Sequence, residues 1–321
     1  EMVNQEDVRL ISGTFASERE KPRGRRLAIA LGAMALGILV AGFWNYHLVD
    51  GFGQQVVAGE TIGRTGALAG AFSARGSGFG FLFAGIAGLA ATFTACNCVV
   101  FAMMPGLACS AEAPGAETSP LQALAIFTAG VVAVGAAYGL FVGLLGPEGI
   151  EAINRRPVRL AQAQAVFSVL GAAMLGWGAL EFGFLSAVRE RVSPVTRRFL
   201  AAPNTKAALL GLMVGLFAVG RPFPVFRDFL TYAANAESPI YGAAVMTVQG
   251  VGQIAVMVLL FLGVMWAAGS RIRRLAAEAP DRIRVISGGA LLAGGSFFLF
   301  YWGFSFLLDI GRWGFKLGWY G

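Results

Sequence analysis

Seven stretches of this sequence are apolar over enough residues to cross a lipid bilayer, and nothing else in it constrains the fold as strongly. An α-helix rises about 1.5 Å per residue, so about 20 apolar residues span a hydrocarbon core about 30 Å thick. The stretches are 27–44, 79–104, 121–145, 161–185, 207–226, 241–268 and 285–308. Backbone amides in lipid find no water, and runs of this kind satisfy them internally as helices. The expected fold is all-α, a polytopic integral membrane helical bundle of about seven transmembrane helices. Charge supports this: only 13% of residues are charged, about half the share that a water-facing domain carries. The 45 glycines suit helices that approach one another closely in a membrane.

The first stretch follows Lys21, Arg23, Arg25 and Arg26, as a signal peptide would, but it ends in Phe43, Trp44 and Tyr46. Aromatic residues at that end read as an interfacial anchor and not as a cleavage site, so the helix is expected to be retained. With the N-terminus inside, segments 1–26, 105–120, 186–206 and 269–284 face the cytoplasm and hold 16 of the 25 basic residues. The positive-inside rule then favours a cytoplasmic N-terminus and an extracytoplasmic C-terminus in a cell inner (plasma) membrane. Arg155, Arg156 and Arg159 fall on the other side in this arrangement and count against it. The net charge of +7 lies in short clusters between apolar runs, which is the pattern of topology determinants, and no nucleic-acid partner is expected. The connection 45–78 is long, glycine-rich and apolar, and is expected to lie on the membrane surface or against a partner.

Two spans carry residues capable of chemistry. The second contains Thr94-Ala95-Cys96-Asn97-Cys98 and runs on to Met103, Met104, Pro105 and Gly106. Cysteines two positions apart point about 200° away from each other on a regular helix, so they meet only where it unwinds. Asn97 between them and the proline after them favour such a break, and broken helices line polar sites in membrane bundles. The pair is then a candidate for thiol redox exchange, or for a soft metal together with a methionine; otherwise the cysteines are small packing residues. Cys109 is a further candidate thiol beyond Pro105. The fifth span meets Gly220-Arg221-Pro222-Phe223-Pro224 before it has finished crossing. Pro222 and Pro224 remove amide donors and must bend or break the helix near Gly220. Arg221 either snorkels to the interface or faces protein or a wet cavity. Glu181 is read as reaching water near a span end, and Asp309 as an ion-pair partner of Arg312.

The single histidine, His47, removes several chemistries. A bis-histidine haem and a histidine-rich zinc site both need imidazoles that this chain lacks. No GxxxxGK[ST] loop occurs, so nucleotide hydrolysis has no support. No cofactor is expected of the chain by itself.

Residues Thr92 to Gly106, read together with Gly215 to Val225, resemble the CcdA/DsbD family of transmembrane thiol-disulfide electron carriers. The resemblance implies six core helices in two inverted halves of three, with a thiol beside proline in the first helix of each half. The organisation it implies is an additional segment, residues 1–78, followed by a six-helix core, residues 79–321. The chain departs from the pattern at three places. Ala95 stands where a proline usually precedes the first thiol, Cys98 is an additional cysteine, and Phe223 occupies the expected position of the second thiol.

Three functions fit this reading. One is a carrier of reducing equivalents to a thioredoxin-like or cytochrome-maturation partner, with Cys96 and Cys98 as the reacting thiols; any activity is then thiol-disulfide electron transfer and neither hydrolysis nor group transfer. Another is a non-catalytic membrane subunit that anchors a larger respiratory, photosynthetic or maturation complex. The last is a transporter of a soft metal or small solute using Cys96, Cys98, Met103 and Arg221. Membrane lipid surrounds the chain in all three.

Overall fold

The computed structural model describes residues 23–94, 97, 119–185, 202–278 and 280–320. Among them the regular structure is helical, with no strand. The main helices are α1 (Arg23–Gly42), α2 (Phe72–Ala91), α3 (Pro120–Asn154), α4 (Arg156–Glu181), α5 (Pro203–Gly220), α6 (Pro224–Ala234), α7 (Pro239–Glu278) and α8 (Pro280–Phe298). Seven are long and apolar enough to cross a membrane: α1 to α5, α7, and α8 with the π-helical turn that follows it. Proline opens many of them. Its fixed φ suits the first helical turn, where the missing N–H has no intrahelical partner to lose. Ser119 also caps α3 by accepting from the Gln122 amide at 3.2 Å.

The packing relates the two halves of the chain. α3 lies against α7 at the centre, α2 packs on α7, α5 packs on α3, and α4 packs on α8. Each half thus sets its first helix against the second helix of the other. α1 adds to the outside, against α8. The central α3–α7 contact depends on two glycines: a Cβ on Gly139 or on Gly242 would come within 2.2 Å of the other's carbonyl oxygen. Close approach of this kind lets backbones pack where apolar side chains gain little over lipid. One apolar core gathers Phe127, Phe167, Phe217 and Phe298, and a second gathers Phe83, Phe223, Phe226 and Phe229. Leu31, Leu36, Leu259, Leu260 and Trp266 are exposed on the outside of the bundle, as side chains facing lipid are.

Several elements differ from the sequence expectation, the second span running Phe72–Ala91 and the fifth Pro203–Gly220. α4 begins at Arg156 and not near residue 161, because Pro157 starts a helix there. α3 runs on past residue 145, but Gly146 at φ 65° kinks it before Pro147. α7 continues to Glu278, with Arg271, Arg274 and Glu278 exposed. The connection between α1 and α2 packs on the chain's own bundle. Its Ala58 is fully buried and Leu68 is 6% exposed, both within the second apolar core. Thr65 donates to Asp228 Oδ2 at 2.6 Å, and Asn235 Nδ2 donates to the Ala69 carbonyl at 3.2 Å.

The end of the chain returns to the end of α1. Tyr320 Oη donates to the Phe43 carbonyl at 2.6 Å, and the Phe43 ring stacks on Trp319 with centroids 5.0 Å apart. Tyr46 and His47 meet Phe315 in the same cluster. His47 is thus an aromatic neighbour of this cap. Asp309 pairs with Arg312 at 2.5 Å. Glu181 pairs with Lys206 at 2.6 Å and accepts from Trp177 Nε1 at 3.3 Å, so it is held by an ion pair as well as by its nearness to a span end.

Candidate functional site

Two helices stop inside the bundle, and one glutamine joins the stops. α2 ends at Ala91, and residues 92–94 turn out of the helix. A helix end leaves carbonyls without partners, and here polar side chains supply them. Thr94 Oγ1 and Asn97 Nδ2 both donate to the Ala91 carbonyl, at 2.7 and 2.9 Å. Thr92 Oγ1 donates to the Gln253 carbonyl at 3.1 Å, and Asn97 Nδ2 to the same oxygen at 3.3 Å.

The second stop is at Gly220. Arg221 at ψ 117° and Phe223 at ψ 128° are extended, and α6 restarts at Pro224. Pro222 and Pro224 force this geometry by withholding two amide donors. Arg221 is 0% exposed, so it does not snorkel to an interface; its guanidinium turns into the protein. Arg221 Nη1 donates to Gln253 Oε1 at 3.1 Å, and Gln253 Nε2 donates to Asn97 Oδ1 at 3.2 Å. The Gln253 side chain on α7 thereby bridges both helix breaks.

A second buried arginine stands beside the first. Arg159, 1% exposed, donates from Nε to the Arg221 carbonyl at 3.0 Å. Its Nη1 donates to Tyr138 Oη and to Gln162 Oε1, each at 3.1 Å. Both guanidinium carbons lie within 6 Å of the Phe226 ring centroid, at 5.7 and 5.8 Å, within cation–π range. Buried charge in a membrane bundle is costly and persists where hydrogen bonds and opposite charge hold it. The nearby acid is Asp50, on the short helix Tyr46–Gly51 between α1 and α2. Burial raises its pKa to about 6, and the positive charge of Arg221 acts against that rise.

Of the residues singled out from sequence, the structure brings Arg221, Pro222 and Pro224 to one break. Phe223 is 2% exposed and packs in the second apolar core, so the position expected to hold a second thiol is filled by a ring. Cys96, Cys98 and Cys109 lie outside the described residues, as do Met103 and Met104. Arg159 went unrecognised because it was counted with Arg155 and Arg156, which are exposed. Gln249 and Gln253 carried a usable signal: two amides four residues apart mark one polar face on an otherwise apolar helix. Among the described residues, no group of three His, Cys, Asp or Glu side chains is placed to hold a metal.

No curated protein and no solved structure matches the chain. The family model for the cytochrome c biogenesis protein transmembrane domain matches residues 79–294 of the 321. The matched region holds both helix breaks and every residue of the Gln253 bridge, with α1, Asp50 and the C-terminal aromatic cap outside it. On this match the chain is a member of the cytochrome c biogenesis transmembrane family, whose resemblance was already visible around Cys96 and Pro222.

Proposed function

We propose that this multi-pass membrane protein has kept the family's fold without a thiol relay between its halves, and that it anchors or organises a larger membrane complex. The observation that carries this is Phe223, buried in the second apolar core at the second break, two residues from the arginine of the Arg221–Gln253–Asn97 bridge. A disulfide relay between the two breaks needs a sulfur at each, and a phenyl ring can neither form a disulfide nor carry its electrons. Residues 1–78 are the accessory part in this reading and residues 79–321 the core. The membrane is the plasma membrane with the N-terminus cytoplasmic. Burial of Arg159 supports this orientation, because it removes one of the three arginines that counted against it.

The test combines Cys96→Ser and Cys98→Ser with extraction in mild detergent. The double variant is expected to co-purify in the same assembly as the natural chain and to leave its function intact. Isolation of the natural chain only as a free monomer overturns the reading.

A second reading keeps thiol exchange within the first half, between Cys96 and Cys98, serving a thioredoxin-like or cytochrome-maturation partner. Its support is that α2 ends at Ala91 and Asn97, between the two cysteines in sequence, donates back to that end, so the helix is interrupted ahead of the pair. Thiol trapping before and after reduction separates the two. Labelling of Cys96 and Cys98 that changes with redox state supports exchange, and constant labelling removes it.

A further inference from the structure

α1 is the least buried of the seven spans, and it joins the bundle mainly through α8. The two helices run parallel. A Cβ on Gly289 would meet the Ala33 side chain, and one turn further on a Cβ on Gly37 would meet the Ala293 carbonyl. Ala30 and Val285 belong to the same small apolar cluster. In that register both helices begin at one end of the bundle, Arg26 is level with Arg282, and Arg25 and Arg284 lie within one turn of them. Arg25, Arg282 and Arg284 are exposed and form no ion pair among the described residues. Arg26 has an interaction within the chain and is left out of the site.

The positive excess at this end does not depend on how individual groups pair. Positions 23–26 and 271–284 hold eight arginines against two acids, Glu278 and Asp281. Residues 1–22 add five acids and three bases, which leaves the excess positive. Like charges on neighbouring helices repel, and an anion between them turns the repulsion into a bridge. The depth of these residues also matters. The α1 span begins at Gly24 and the α8 span at Arg284, so the arginines stand where apolar helix gives way to water. Just inside them, Leu27, Leu31 and Ile286 are about half exposed. Guanidinium groups hold phosphate through charge-assisted bonds, and basic clusters at the ends of spans attract anionic lipid. A free phosphate uses only the charged half of this layout, whereas a lipid uses both halves.

We propose that the shared end of α1 and α8 binds a phospholipid of net negative charge, its headgroup between Arg25 and the Arg282–Arg284 pair and its acyl chains along Leu27, Leu31 and Ile286. The lipid then fastens the least buried span to the core. No cysteine and neither helix break takes part, so this site goes beyond the anchoring reading and fails separately from it.

The full chain in detergent is titrated with phosphatidylglycerol, with phosphatidylcholine and with inorganic phosphate while its melting temperature is followed. Phosphatidylglycerol is expected to raise the melting temperature in a saturable way, beyond both of the others. The triple variant Arg25→Gln, Arg282→Gln, Arg284→Gln is expected to weaken the apparent affinity for phosphatidylglycerol about tenfold or more. The control is Arg155→Gln with Arg156→Gln. α4 runs antiparallel to α8, with Gly178 against Leu292 and Gly171 against Gly295, so those exposed arginines lie at the opposite end, and the control is expected to keep the response. Phosphatidylcholine or inorganic phosphate acting as well as phosphatidylglycerol overturns the proposal. A response kept by the triple variant, or lost equally by the control, also overturns it. Should the triple variant not fold, single substitutions decide: Arg25→Gln and Arg284→Gln both binding like the natural chain refute the site.

Discussion

Replacing Gln253 by leucine removes a side chain that joins the two helix breaks while nearly preserving its volume. Two good hydrogen bonds go with it: from Arg221 Nη1 at 3.1 Å and to Asn97 Oδ1 at 3.2 Å. Longer contacts to the Val214 carbonyl at 3.4 Å and from Gln249 at 3.5 Å add little. A bond to a charged group contributes about 1.5–3 kcal/mol and a neutral one about 0.5–1.5 kcal/mol, and the partners left behind stay buried. The expected loss is about 3 kcal/mol. Side-chain bonds between membrane helices average only about 0.6 kcal/mol, which sets a floor of about 1 kcal/mol for the pair. Gln253→Glu retains an acceptor for Arg221 but loses the donor to Asn97, and should cost less than leucine. Reversible unfolding in mixed micelles under increasing SDS measures both. A leucine variant as stable as the natural chain, or a glutamate variant less stable than leucine, would refute the idea that this amide holds the breaks together.

Phe223→Ala empties a buried ring position and should destabilise by about 3–5 kcal/mol in the same assay; a loss under about 1 kcal/mol would mean the ring is not part of the core. Gly139→Val drives a side chain into the Gly242 carbonyl, where a Cβ already comes within 2.2 Å. It should cost about 3 kcal/mol or more, or separate α3 from α7, as cross-linking between the helices would show. Asp50 has a folded-state pKa of about 6 against 3.8 for the free side chain. The folded state therefore binds the extra proton between those values, and stability falls as pH rises through that window and levels off above it. Asp50→Asn should flatten this dependence in melting temperature measured from pH 4 to pH 7.

The spans were legible because bilayer thickness sets a helix length and apolar composition marks it. The second break was legible because Pro222 and Pro224 act on the backbone whatever surrounds them. The connection between α1 and α2 was legible as apolar and ordered, but its glycines and valines suit a lipid surface and a protein surface equally, and only packing selects between them. Arg159 was hidden by one proline. Pro157 marks a helix start as readily as a loop, and moving that start back from residue 161 turns Arg159 from a loop charge into a core one. Arg221 could be seen as anomalous, yet its direction depends on Gln253, which lies 32 residues away.

The aromatic cap ties the Phe43 carbonyl to Tyr320 across 277 positions of chain. Both partners lie outside the region that matches the family, and so does α1. A bundle whose first and last segments fray independently opens from its ends inward, in small steps of low cost. Here the Tyr320–Phe43 bond and the Phe43 contacts with Trp313 and Trp319 couple α1 to the aromatic segment 313–320. Amide exchange along α1 is then expected to follow the same opening event that frees Trp313 and Trp319.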